Sequence, residues 1–152
     1  MAAWHHIIKT NHAKILDFIT HFEKELTDAK SDVDIRGGIE QLAMRLPGIF
    51  EYRYGQLQEV EATLDMLDTQ LKKIRSEKFR MYLEKYNRQL SSSDAWKYCD
   101  GEPDVCDLCD LINEVALIRN RYLGITKSLE QKSFMIGHIV RMRAAGLEDA
   151  TL

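Results

Sequence analysis

Two long stretches in which apolar residues alternate steps of three and four constrain this chain more than anything else in it. Leu57, Val60, Leu64, Leu67, Leu71 and Ile74 form the first series. Leu111, Val115, Ile118, Tyr122, Ile125, Leu129, Ile136 and Ile139 form the second, with Lys132 in the one skipped place. That spacing lays each series along one stripe of a helix, as in a coiled-coil seam, and a rod with one apolar stripe must bury it against another helix. With only 2 prolines and 8 glycines in 152 residues, the chain lacks the turn residues of a β fold. The expected fold is all-α, with long helices in a helical hairpin. A second, partly apolar stripe of Ile112, Ala116, Leu123, Thr126, Phe134 and Val140 widens the face of the last helix, so packing between subunits is the favoured use of that helix and an intramolecular hairpin the alternative.

Around the two seams the pattern predicts shorter pieces. A helix is expected to open with Thr10 or Asn11 as its N-cap and to carry Ile15, Ile19, Phe22 and Leu26 on one face. Asp28 to Gly38 reads as a loop, with Asp34 able to cap a short helix through Leu46. Pro47 should end that element or open the next, a helix from about Gly48 to Leu90 that would be roughly 60 Å long. Ser91 to Asp94 should break it, and Asp100-Gly101-Glu102-Pro103 reads as an irregular acidic connection. The last helix is expected to begin near Asp107 or Asp110 and to close near Arg141 and Arg143, with Gly146 as terminator. Four segments follow: 1–46, an N-terminal helical segment; 47–90, the long helix; 91–107, the acidic connection; and 108–152, the C-terminal helix and tail. No apolar run approaches the roughly 20 residues that a bilayer span requires, and Met1 to Lys9 lacks a leader pattern, so a soluble, unexported protein without membrane contact is expected.

Charge is blocked along the chain. Residues 72–88 hold 7 positive and 2 negative side chains, 89–114 hold 1 and 7, and 115–143 hold 6 and 1, although the net charge is only -3. In the first basic block Phe79, Tyr82 and Tyr86 alternate with Lys78, Arg80, Lys85 and Arg88, which combines phosphate-neutralising charge with rings on which unpaired bases stack. Lys72, Lys73, Arg75, Lys78, Arg80, Tyr82, Lys85, Tyr86 and Arg88 are therefore the candidate single-stranded DNA site, and Lys78, Tyr82 and Lys85 share one helical side. The competing view makes the rings core and the charges a solvated surface. Cys99, Cys106 and Cys109 supply only half of a zinc pattern, and an odd number of thiols in one short stretch points to a reducing compartment. Phosphate loops, nucleophile elbows and HExxH are all missing, so neither an enzyme nor a bound cofactor or metal is expected.

Leu46 to Tyr54 (LPGIFEYRY), a long helix closing on Glu77 to Tyr86 (EKFRMYLEKY), and Ile118 to Ile125 (IRNRYLGI) through Glu130 to Arg143 (EQKSFMIGHIVRMR) resemble the phage recombination mediators, the UvsY proteins. The resemblance spans residues 46–90 and 108–146. It implies a helical protein that assembles through its C-terminal helices into a ring-like bundle or barrel of about six or seven subunits, in which several weak sites act on one strand. Leu111, Val115, Ile118, Tyr122, Ile125, Leu129, Ile136 and Ile139 would be the oligomerisation residues. It further implies binding of single-stranded DNA, with loading of a phage recombinase onto DNA covered by single-strand-binding protein in the cytoplasm of the host bacterium. The family's DNA-contacting Lys-x-Arg corresponds to Lys78-Phe79-Arg80. The N-terminal 30 or so residues and the acidic, cysteine-bearing connection depart from the family pattern. The alternative function is a coiled-coil adaptor or assembly protein with no nucleic-acid role.

Overall fold

A computed structural model describes residues 3–147. Five helices follow one another: α1 (Trp4–Thr10), α2 (Lys14–Val33), α3 (Ile39–Glu84), α4 (Ser92–Asp100) and α5 (Pro103–Ala144), with no strand among the described residues. The all-α expectation holds. Several boundaries move, each for a local reason.

At the N-terminus a separate helix, α1, precedes the expected one, and Asn11 lies between the two. The Asn11 Oδ1 accepts from the Ala13 amide at 3.1 Å, an Asx-type bond that starts α2 a few residues late. α2 then continues to Val33 through most of the predicted loop, leaving only residues 34–38 outside a helix. There Gly37 adopts φ +101°, a left-handed conformation for which glycine is suited. Pro47 neither ends nor begins a helix. It lies inside α3, so the segment boundary predicted between 46 and 47 falls within one continuous element, and residue 47 has no amide to donate to the carbonyl four residues earlier.

α3 stops at Glu84, short of the predicted Leu90. What looked like a simple break at the serines is an N-cap: the Ser91 Oγ accepts from the Asp94 amide at 3.1 Å and donates to the Asp94 carboxylate at 2.8 Å, which launches α4 inside the predicted irregular connection. α5 begins at Pro103 rather than near Asp107 or Asp110, because proline fits the first helical position, where no amide is needed. Its other end matches expectation. Gly146 has φ +74°, its amide bonds to the Arg143 carbonyl and the Leu147 amide to the Met142 carbonyl, the paired bonds of a Schellman close.

The helices divide between two compact units. Unit 1 comprises residues 1–15 and 59–118. Its buried residues include Ile8, Val60, Leu67, Ala95, Cys99, Val105, Val115 and Ile118, so α1, α3, α4 and α5 all contribute to its interior. Unit 2 comprises residues 16–58 and 119–152. Phe18 and Phe22 pack with their rings tilted and centroids 4.6 Å apart, and Phe22 meets the Tyr122 ring edge-on at 5.8 Å, joining α2 to α5. Leu46 of α3 clusters with Leu129 and Ile136 of α5.

The second seam is therefore filled within one chain. Val115, Ile118, Tyr122, Leu129 and Ile136 are at most 5% exposed, while Leu111, Ile125 and Ile139 are half-buried. These eight residues, assigned from sequence to oligomerisation, are largely occupied by intramolecular packing. The large apolar side chains that α5 leaves in the open are others: Leu117, Phe134, Met135, Val140 and Met142. Lys132, the interruption in the seam, is itself buried. Its ammonium donates to the backbone carbonyls of Asp32 and Asp34 at 2.6 and 2.7 Å, where it caps the end of α2.

Candidate nucleic-acid interface

Residues 75, 78 and 82 recur at three and four along α3, one per turn, and therefore share a side. This row continues the stripe of Leu67, Leu71 and Ile74, but here the sequence turns polar. α4 and the start of α5 cover it in unit 1. The Arg75 guanidinium pairs with Asp100 at 2.9 Å and lies 5.1 Å over the Trp96 ring. Lys78 Nζ meets the Glu102 carboxylate at 2.9 Å and Asp104 at 3.4 Å. The Tyr82 hydroxyl donates to the other Glu102 oxygen. Glu102 thus holds one cation and one phenol with its two oxygens. The Tyr82 and then the Lys78 hydrogen bonds hold its carboxyl below the usual carboxylate range. The same bonds push Lys78 and Tyr82 above their ordinary values.

Rings border this row. Phe79 stacks on Trp96 at 4.2 Å, and Tyr82, Tyr86 and Tyr98 form a trio with centroids 5.5 to 6.0 Å apart. Tyr86 is 46% exposed and Tyr98 50%, so two of the three rings reach solvent. Lys85 and Arg88, beside Tyr86 in the chain, are exposed.

The predicted site is thereby split. Arg75, Lys78, Tyr82 and Tyr86 are brought together with α4. Lys73 and Arg80 are not, since positions two apart on a helix are turned by about 200° from each other, and Arg80 faces away from Lys78. Lys72, Lys73, Arg80, Lys85 and Arg88 are all exposed, and none of them is ion-paired with a described residue. The side shared by Lys78, Tyr82 and Lys85, expected to be open along its length, is occupied by Glu102 over its first two members.

Trp96, Tyr98, Asp100, Glu102 and Asp104 belong to the site and were not anticipated from sequence. The signal lay in Ser91-x-x-Asp94, a capping pattern that would have turned an apparent loop into a helix carrying Trp96 and Tyr98. Of the cysteines nearby, Cys99 is buried with its thiol on the Arg75 carbonyl at 3.3 Å, Cys106 is exposed and Cys109 is half-buried. Among the described residues, no group of three or more His, Cys, Asp or Glu side chains is disposed to hold a metal ion. Likewise no helix among them is long and apolar enough to cross a membrane.

A second polar cluster, in unit 2, was also not foreseen. Arg53, buried, bridges Asp32 at 2.7 Å and Glu25 at 3.0 Å, and Gln56 donates to Glu25 at 2.8 Å. Every strong donor and acceptor in it has a partner, which marks it as structural. Comparison with models of known protein families, with curated proteins and with solved structures found no match.

Proposed function

We propose that this chain is a recombination mediator: it binds single-stranded DNA as a ring oligomer and promotes the loading of a recombinase onto DNA covered by single-strand-binding protein, in the cytoplasm of a phage-infected bacterium. The observation that carries the DNA-binding part is the trio of Tyr82, Tyr86 and Tyr98, two of them open to solvent, with Lys85 and Arg88 exposed beside it. Unpaired bases stack on such rings without regard to sequence, and neighbouring cations hold the phosphates. The likeness of the long-helix and C-terminal segments to the phage mediators supplies the recombination context.

Assembly strengthens the case physically. One subunit offers few contacts, but several copies acting on one strand gain affinity by effective concentration. With the α5 seam used inside the chain, the apolar side chains that this helix leaves exposed in unit 2, Phe134, Met135, Val140 and Met142, are available for contact between copies.

Fluorescence anisotropy with a labelled oligo-dT strand tests the reading. Binding should be salt-sensitive, and it should weaken several-fold in the double variant Lys78→Ala with Arg80→Ala. Tyr86→Ala with Tyr98→Ala should cost about 1–3 kcal/mol for each base that loses its platform. Undiminished affinity in both variants would remove the site. Absence of binding near 0.1 M salt would favour a coiled-coil adaptor instead.

A further inference from the structure

We propose that Glu102 is a built-in competitor for the DNA strand, holding Lys78 and Tyr82 in a masked state that a phosphate must displace. This inference rests on the reading of the α3 end as a single-strand site. Three acidic residues within five positions, Asp100, Glu102 and Asp104, are matched to Arg75 and Lys78 on successive turns of α3. A carboxylate accepting from an ammonium with one oxygen and from a phenol with the other presents what a phosphodiester presents: two anionic acceptor oxygens on one centre. The acidic turn thus imitates the ligand.

Release needs no backbone movement. The Glu102 carbonyl accepts from the Val105 and Cys106 amides at 3.0 Å, and its amide bonds to the Cys99 carbonyl at 3.2 Å, so the main chain is fixed as the cap of α5. Rotation of the Glu102 side chain would free the Tyr82 hydroxyl and leave Lys78 with the longer, more exposed pair to Asp104. Of the side chains that pair here, Asp104 is 67% exposed, Lys78 25% and Glu102 19%, so an incoming phosphate has to replace both contacts of Glu102 as it leaves. The exposed Tyr86 and Tyr98 rings with Lys85 and Arg88 would make first contact, and Lys78 would join once the strand has displaced Glu102.

Anisotropy titrations with oligo-dT over a range of salt test this with four proteins: wild type, Glu102→Gln, Lys78→Ala and the double variant. Asp110→Asn, which removes the same charge from α5 outside the contact, is the control. Masking predicts that Glu102→Gln binds about 2- to 5-fold tighter than wild type and tighter than Asp110→Asn. Its salt slope should be steeper by about 0.7, one further phosphate contact on a single strand. Lys78→Ala should cost less than about twofold in wild type and should erase the whole gain in the Glu102→Gln background. Wild-type binding with an unchanged Glu102→Gln affinity, or an equal Lys78→Ala loss in both backgrounds, overturns the masking while leaving the DNA site intact. The Lys78→Ala arm can overturn the proposal even if Glu102→Gln proves unstable, because a large loss from that single change contradicts a masked lysine. Absence of binding by wild type and Glu102→Gln alike at low salt overturns both this inference and the function on which it rests.

Discussion

Arg53 is a buried cation in unit 2 held by two carboxylates. Burial works against its charge, but the hydrogen bonds and charges of Asp32 and Glu25 outweigh it and push the guanidinium above its ordinary value. Removing it strands two carboxylates that are each about four-fifths buried, so Arg53→Met should destabilise the protein by about 2–3 kcal/mol, read as a lower urea midpoint with an unchanged slope. Tyr122 behaves oppositely. Its hydroxyl is buried without a hydrogen-bond partner among the described residues and burial pushes it well above the usual phenol range, so Tyr122→Phe should leave stability unchanged or raise it by up to about 1 kcal/mol. Glu102 and Tyr82 give a pH signature with two edges. The carboxyl is lowered, so its contribution is present above the unfolded value near pH ~4.3 and fades as pH falls through the lower folded value. The phenol is raised, so its contribution is present below about pH 10 and fades as pH rises through the higher folded value. Ultraviolet titration should show one fewer late-ionising tyrosine in Glu102→Ala than in wild type.

At the level of elements, the small helix α4 is the most instructive. Ser91 caps it, and Ser91→Ala should cost about 1 kcal/mol and loosen the helix that carries Trp96 and Tyr98, measurable as faster amide exchange at residues 95–99. The two seams were legible because a three-and-four alternation has only one helical meaning, and residues such as Val60, Leu67, Val115 and Leu129 are buried as their spacing requires. Boundaries were less legible. Pro47 looked like an end, yet tertiary packing of Leu46 against Leu129 and Ile136 holds the helix through it. In the site, Lys78, Tyr82 and Tyr86 could be found from composition, since basic and aromatic residues in alternation are a local pattern. Glu102 could not, because its 24-residue separation from Lys78 is a fact of tertiary folding that no window along the chain contains.

For the molecule as a whole, the exposed apolar side chains of α5 are where assembly can be tested. If copies assemble as proposed, Phe134→Asp with Val140→Asp should lower the mass measured by light scattering without lowering the melting temperature, because Phe134 is 70% and Val140 49% exposed. Leu129→Asp should do something different. That position is 1% exposed in the single chain, so a carboxylate there should unfold unit 2 outright. An unchanged mass in the first variant would place the contact elsewhere or show that the protein is a monomer.

Pro47 has a further consequence for α3. A helix of 46 residues that lacks one rung near its beginning is tied unevenly. When the protein breathes short of complete unfolding, the turn around the proline is where α3 should part first, and limited digestion should sever it there before anywhere in the later, unbroken turns.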